Sequence, residues 1–358
     1  MTESDRTFLY QLLNTPSPSG FEAEGQRVWA RYVRSFADTV EADSYGNTWA
    51  MLRGTVAGAS QRLMLEAHAD EIGFMVNYIT DDGFLHVNRI GGADPAVMRG
   101  RRVHILGSKG VVNGVIGHTA IHLRDRKDEK VPEEHEMFID IGAADAEAVA
   151  ARGIRVGHPV VFAESVEEWL PGRLTGRALD NRIGGFILAR VLARLAGEAR
   201  PEVDVWAVNS VQEEIGGHGA KMVTYRLRPT VAVVLDVTHA TDSPGISKAR
   251  HGHVRLGGGP TVTHGTANHP LVVERIEQVA EQEGIPLQHE ASSRYTGTDT
   301  DDIYVSRGGV PSALVSLPMR YMHSPVETVA LEDVEHVIRL LTALARSIRP
   351  EDTFRVAV

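Results

Sequence analysis

The sequence predicts an α/β fold, with a central mixed, mostly parallel sheet flanked by helices and a small β barrel or sandwich inserted into it. Three observations lead there. β-Branched apolar runs at residues 203–211 and 231–237 alternate with stretches whose apolar residues recur every three to four positions, the pattern of buried parallel strands covered by helices. Between residues 73 and 161 that alternation gives way to short β-rich segments broken by glycines. The chain has 358 residues, enough for roughly two nominal domains, and its 42% hydrophobic and 23% charged content is that of an ordinary globular protein.

Taken in order, residues 8–13 and then Val28, Trp29, Tyr32, Val33 and Phe36 read as two helices separated by Pro16-Ser17-Pro18-Ser19-Gly20. A strand at Leu63-Met64-Leu65 runs into Glu66-Ala67-His68-Ala69-Asp70. Short strands follow at residues 73–79, 84–90, 102–106 and 114–120, with Asp81-Asp82-Gly83 as a turn. Beyond Ser165 come a buried helix at 181–195, strands at 203–211 and 231–237, a helix at 271–282, a strand at 310–317 and a closing amphipathic helix at 331–348. The domain reading is therefore one discontinuous α/β domain, residues 1–70 and 166–358, split by a β-rich insertion at 71–165. Gly257-Gly258-Gly259-Pro260 lacks the Lys-Ser/Thr of a phosphate loop and reads as a turn.

Composition narrows the chemistry. The 37 basic and 47 acidic residues leave a net charge of −10, and no basic block stands out, so nucleic acid is not an expected partner. No apolar run approaches the ~18 residues of a membrane span, so no membrane partner is expected either. The polar, acidic start has none of the regions of a signal peptide, which points to the cytoplasm. The absence of cysteine removes disulfides, thiolate metal sites and cysteine nucleophiles, so any metal must sit on His, Asp or Glu. Against that, the chain carries 16 histidines.

Acids and histidines collect at the ends of the expected strands: His68 and Asp70, Asp180, Glu213-Glu214, Asp236 and His323. Carboxyl ends of strands in an open α/β sheet line the ligand crevice, so these distant residues converge there. Two imidazoles with several carboxylates suit a pair of divalent-metal sites, since one carboxylate can bridge two ions. Each residue also has a plain reading. His68 and Asp70 share a strand face, where the acid can fix the imidazole tautomer or simply be solvated beside it. Asp180 precedes a helix, where an N-cap is the ordinary role. Glu213 and Glu214, if extended, point to opposite sides, which makes them a poor acid–base pair for glycoside cleavage but suits one ligand and one general base. A lone charge at Asp236, after Val231-Ala232-Val233-Val234-Leu235, is costly unless paired or metal-bound. By itself His323 is an ordinary surface histidine.

These blocks, in order, resemble the tetrahedral (TET) aminopeptidases, which include glutamyl and deblocking aminopeptidases and some proteins once labelled endoglucanases. The resemblance runs from Ser19-Gly20-Phe21-Glu22, through Glu66-Ala67-His68-Ala69-Asp70-Glu71-Ile72-Gly73-Phe74-Met75-Val76, to Tyr321-Met322-His323-Ser324. It implies a zinc-aminopeptidase-like fold with a dimerisation domain at 71–165, and two divalent ions per subunit (zinc, cobalt or manganese). By resemblance His68, Asp180 and Asp236 hold one ion, with Asp180 bridging, and Glu214 and His323 complete the other. Glu213 is then the general base that activates a metal-bridging water, Asp70 the partner of His68, and the Asp180-Asn181 peptide cis. Thr298 and Asp299, in Thr296-Gly297-Thr298-Asp299-Thr300-Asp301, match a segment on the substrate side. The chain departs from many relatives at Asn181, where they carry aspartate, and at Gly217-His218, where they carry Leu-Arg; neither change removes a ligand. The activity implied is release of amino-terminal residues from peptides with a free amine, by a homododecamer built from dimers. The alternatives are a related two-metal carboxypeptidase or amide deacylase, and a metal-binding assembly protein without turnover.

Overall fold

In the computed structural model, which describes residues 1–125, 130–131 and 133–358, the chain opens with α1 (Glu3–Asn14) and α2 (Ala23–Val33). Thr2 and Asp5 cap the start of α1 reciprocally, and its spacing buries Phe8, Leu9, Leu12 and Leu13. Phe8 stacks on Tyr32 of α2 with ring centroids 3.7 Å apart, which locks the two helices together. Phe36 lies beyond the end of α2 rather than within it. Strands β1 (Thr39–Ala42), β2 (Thr48–Leu52) and β3 (Arg62–His68) follow.

The next segment closes on itself. Strands β4 (Gly73–Ile79), β5 (Leu85–Ile90), β6 (Arg102–Gly107), β7 (Gly110–Ile116), β8 (Phe138–Asp140) and β9 (Pro159–Phe162) form a barrel in the order β4-β5-β8-β7-β6-β9, with α3 (Ala146–Ala151) beside it. Alternate residues such as Phe74, Val76, Val87, Val103, Ile105, Ile139 and Val160 fill its own core, separate from that of the main sheet.

The chain then returns through β10 (Glu167–Leu170), β11 (Arg173–Gly176), α4 (Leu179–Gly197), β12 (Asp204–Ser210), α5 (His218–Leu227) and β13 (Val231–His239). After α6 (Lys248–His251) come β14 (Thr261–His264), α7 (Pro270–Gln282), β15 (Gln288–Ala291), α8 (Thr300–Ile303), β16 (Ser312–Arg320), β17 (Glu327–Ala330) and α9 (Leu331–Ser347). The eleven-stranded sheet runs β1-β2-β12-β3-β13-β16-β17-β11-β10, with β14 and β15 paired beside β16. Its centre, β12-β3-β13-β16, is parallel and its flanks are antiparallel. The apolar runs of β3, β12 and β13 are covered on one face by α4, which is buried almost all round. Gly184 permits that approach, because a Cβ there would stand 2.8 Å from the Ala67 methyl. Parallel pairing sets Ser210 level with His68 and Asp236 level with Ser316, so the polar ends of the four central strands open on one edge. Among the described residues no helix is long and apolar enough to cross a membrane.

Where barrel, sheet and α4 meet, a buried ion pair fixes the junction. Glu71 accepts from the Arg177 guanidinium and, at 2.7 Å, from the Ser17 amide, while Arg182 lies 3.8 Å away. Both arginines and Glu71 are at most 5% exposed. Burial pushes Arg182 down to about 10, with Arg177 opposing and Glu71 supporting its charge. Removing the acid strands two cations in the interior. Glu71→Ala is therefore expected to lower stability by roughly 3–5 kcal/mol in denaturant unfolding, and a loss below about 1 kcal/mol would show that the junction does not depend on it.

Candidate metal centre

Each part of the centre hangs from a strand end. His68 closes β3, and the chain turns so that Asp70 comes back beneath its ring: His68 Nδ1 lies 3.2 Å from the Asp70 carbonyl and 3.3 Å from its Oδ1. With Nδ1 so engaged, Nε2 faces three acids, Asp180 Oδ1 at 3.2 Å, Asp236 Oδ1 at 3.7 Å and Glu213 Oε2 at 3.8 Å. Asp180 presents its other oxygen to His323 Nε2 at 3.4 Å, and Glu214 Oε2 stands 3.4 Å from the same nitrogen. Two ligand trios result, His68/Asp180/Asp236 and Asp180/Glu214/His323, sharing Asp180.

The supporting contacts explain why the side chains point inward. Asp70 accepts hydrogen bonds from the backbone amides of Glu213 and Glu214 at 3.1 and 3.2 Å and from the Ser19 hydroxyl at 2.6 Å. Glu213 and Glu214 lie beyond the end of β12, after Gln212 at φ 62°, so the extended geometry expected from the sequence does not apply and both line one cavity. Asp180 does not cap α4. The Asp180-Asn181 peptide is cis, Asp180 has non-helical angles, and its carboxylate is turned to the histidines. Its amide donates to Glu327 Oε2 at 3.1 Å, while Glu327 Oε1 takes the His323 amide at the same distance. Sequence reasoning passed over Glu327, whose only signal was an acid four residues after His323 at a strand start.

The barrel segment also reaches the centre. His323 Nδ1 lies 3.2 Å from the Gly92 carbonyl, and a Cβ on Gly92 would come 2.5 Å from that nitrogen. Nothing in the sequence marked Gly92. Thr298 stands in the wall of the cavity, about 760 Å³, that the two trios floor. Asp299, expected with it as a substrate contact, is instead 1% exposed and turned inward: Ser210 Oγ lies 3.0 Å from Asp299 Oδ2 and 2.5 Å from Glu66 Oε1. One hydroxyl hydrogen cannot satisfy both acids, and burial drives Glu66 well above and Asp299 up to about 6.

Charge dominates the site. Burial pushes Glu213 up to about 9 and Asp236 up to about 7, with neighbouring carboxylates adding to the shift and His68 opposing it. Burial, then the field of Asp180, also raises Glu214 well above the carboxylate range, and Glu214 Oε1 is buried without a hydrogen-bond partner. Burial alone would lower His68, yet its bonds to Asp180 and Asp70 hold it well above the ordinary imidazole value. Burial would raise Asp180, but His323 and His68 keep it well below. Such carboxylates can all ionise together only beside added positive charge, and imidazole nitrogen with carboxylate oxygen is a donor set for zinc and related divalent ions. The residues present therefore fit a metal-binding role.

Comparison with known proteins agrees with this chemistry. The family profile described as M42 glutamyl aminopeptidase matches residues 46–340. Lysyl aminopeptidase of Pyrococcus furiosus is 34% identical over 351 residues, covering 97% of this chain and 99% of that protein. The structure of aminopeptidase APDkam598 from the archaeon Desulfurococcus kamchatkensis superposes with a TM-score of 0.90 at 36% identity, over 98% of this chain and 97% of that one. The TET1 peptidase of Pyrococcus horikoshii, which can assemble into a tetrahedron or a large octahedral shell, superposes with a TM-score of 0.85 at 28% identity, over 96% of this chain and all of that one.

Two outcomes follow from the geometry. Stripping metal with a chelator is expected to lower the thermal midpoint, by an amount equivalent to about 4 kcal/mol if the ions had been held at a thousandfold excess over Kd, and readdition restores it; an unchanged midpoint contradicts the trios as metal ligands. Gly92→Ala is expected to displace the His323 ring and cost about 10²-fold in turnover with the fold intact by circular dichroism.

Proposed function

The chain belongs to the M42 glutamyl aminopeptidase family, a family of peptide-bond hydrolases, and from that premise we propose that it is a two-metal aminopeptidase releasing residues from the free amino end of peptides. The observation that carries the two-metal reading is the pair of trios sharing Asp180, with Glu213 left over beside His68 and Asp236. Divalent ions held by His68, Asp180 and Asp236 and by Asp180, Glu214 and His323 would supply Lewis acidity toward the scissile carbonyl and the attacking water, and their charge would bring Glu213 into the range of a general base.

The remaining work falls to the chain itself. Glu213 takes a proton from the water and returns it to the leaving amine. Asp70 keeps Nε2 of His68 facing the centre, and Glu327 holds Asp180 and His323 at their backbones. Selection of a free amine is supported by the acidity of the cavity: Asp301 and Asp302 stand in its wall with Glu213 and Glu214, and no Lys or Arg lines it among the described residues. An α-ammonium is drawn in, and an acidic first side chain finds no counter-charge. Zinc, cobalt and manganese all suit the donor set.

We further read the barrel as the dimerisation element of a homododecamer. Val111 and Val115 stand exposed on one face of β7, at 59% and 38%, and apolar side chains grouped on a surface mark interaction sites. A dimer along each edge of a tetrahedron gives twelve chains.

Glu213→Gln is expected to retain the metal content of the wild type and to lose turnover by about 10²–10⁴-fold on aminoacyl aryl-amides; near-normal kcat would remove Glu213 from the general-base role. Acetylating the substrate amine should abolish cleavage. Cleavage that survives acetylation selects the deacylase or carboxypeptidase reading instead. Among free amines, lysyl and leucyl aryl-amides should turn over faster than the glutamyl one. Light scattering should return a dodecamer mass that falls in Val111→Glu, and a monomer mass in the wild type would end the assembly reading.

A further inference from the structure

Only two of the 16 histidines, His68 and His323, belong to the centre. Two others, His264 and His289, meet on the paired strands β14 and β15. Strands β14 and β15 pair in parallel and α7 crosses between them, so the three make one β-α-β unit. In that pairing Val262 lies level with His289 and His264 level with Ala291, which puts both histidines on one sheet face. Val262 on that face is buried in the core with Val272, Val273 and Ile276 of α7, and Glu277 is the next residue of the helix. His264, His289 and Glu277 therefore gather at the rim of a packed interface, held from three sides.

The geometry points to a further divalent-metal site at His264, Glu277 and His289, distinct from the catalytic centre. His264 Nε2 and His289 Nδ1 lie 3.0 Å apart, and Glu277 Oε1 stands 3.7 Å from each. A point equidistant from the three atoms lies about 2.0 Å from each, within the ~2.0–2.1 Å of zinc to imidazole nitrogen and the ~2.0–2.2 Å of zinc to carboxylate oxygen. The rings are stacked, with centroids 5.2 Å apart and 28° between planes, which brings Nε2 of His264 and Nδ1 of His289 side by side. A single proton can bridge the two nitrogens but leaves Glu277 beyond hydrogen-bond distance of either. Replacing that proton, which departs to solvent, with a dication engages all three donors at once and neutralises the carboxylate. Two imidazoles and one carboxylate favour zinc, copper, nickel or cobalt over magnesium or calcium. The side chains are 43%, 55% and 38% exposed, which leaves a fourth position for water.

The site would tie together a unit that borders the catalytic cavity. On the opposite face of β15, Glu290 accepts from Thr238 Oγ1 at 2.8 Å and Thr261 Oγ1 at 2.7 Å, and Thr238 lines that cavity.

The test counts metal. The full-length protein and its His264→Gln and His289→Gln variants are dialysed against micromolar free zinc and analysed for zinc per chain, with turnover of an aryl-amide confirming that each variant is folded. Each variant is expected to hold one zinc fewer than the wild type, whatever the number at the catalytic centre, at unchanged turnover. Equal zinc in all three proteins overturns the site. Should either histidine variant fail to fold, Glu277→Gln, at a partly exposed position of α7, replaces it and should lose the same zinc to a competing chelator sooner than the wild type; equal retention overturns the site equally.

Discussion

The carboxylate of Asp70 has no exposure to solvent and takes hydrogen bonds from four directions: the Ser19 hydroxyl, the His68 imidazole and the backbone amides of Glu213 and Glu214. Burial would raise it, but those donors hold it below the usual carboxylate range, so it persists as a buried anion. Through it the loop before α2, the end of β3 and the turn after β12 share one anchor. The direction of His68 Nε2 and the placing of both glutamates depend on that anchor, and with them both trios.

Around this anchor the acids divide into two layers with different duties. Asp180, Glu214 and Asp236 offer oxygens to the centre, where repulsion among them is relieved only by cations. Glu327 and the Glu66–Asp299 pair lie behind and bind backbone or hydroxyl groups instead. Burial, with the field of Asp180, keeps Glu327 well above the carboxylate range, and a protonated acid can be buried there without a counter-ion. The outer layer thereby positions the inner one without adding its full charge to it.

The barrel is part of this arrangement rather than an appendage to it. Gly92 packs against His323 from the barrel side, and the Glu71–Arg177–Arg182 cluster fixes where the chain leaves the sheet to build the barrel. A surface that joins subunits through the barrel would therefore be mechanically continuous with His323.

Much of this was legible in the sequence. Periodicity placed helices at 331–348 and 271–282, each within a residue of α9 and α7, and located the central strands, because burial imposes its repeat locally. The order of acids and histidines at strand ends marked His68, Asp180, Glu213, Glu214, Asp236 and His323 as neighbours, because parallel strands bring their carboxyl ends to one edge. The absence of cysteine determined, by itself, that any metal rests on imidazole and carboxylate. Direction was decided only in three dimensions: that Glu213 and Glu214 share a cavity, that Asp299 turns away from it, that Asp180 faces histidines instead of capping a helix, and that Glu327 and Gly92 support the ligands. Each of these depends on strand register and on contacts between residues far apart in the chain, such as the 231 positions between Gly92 and His323, and no local pattern of side chains encodes such a distance.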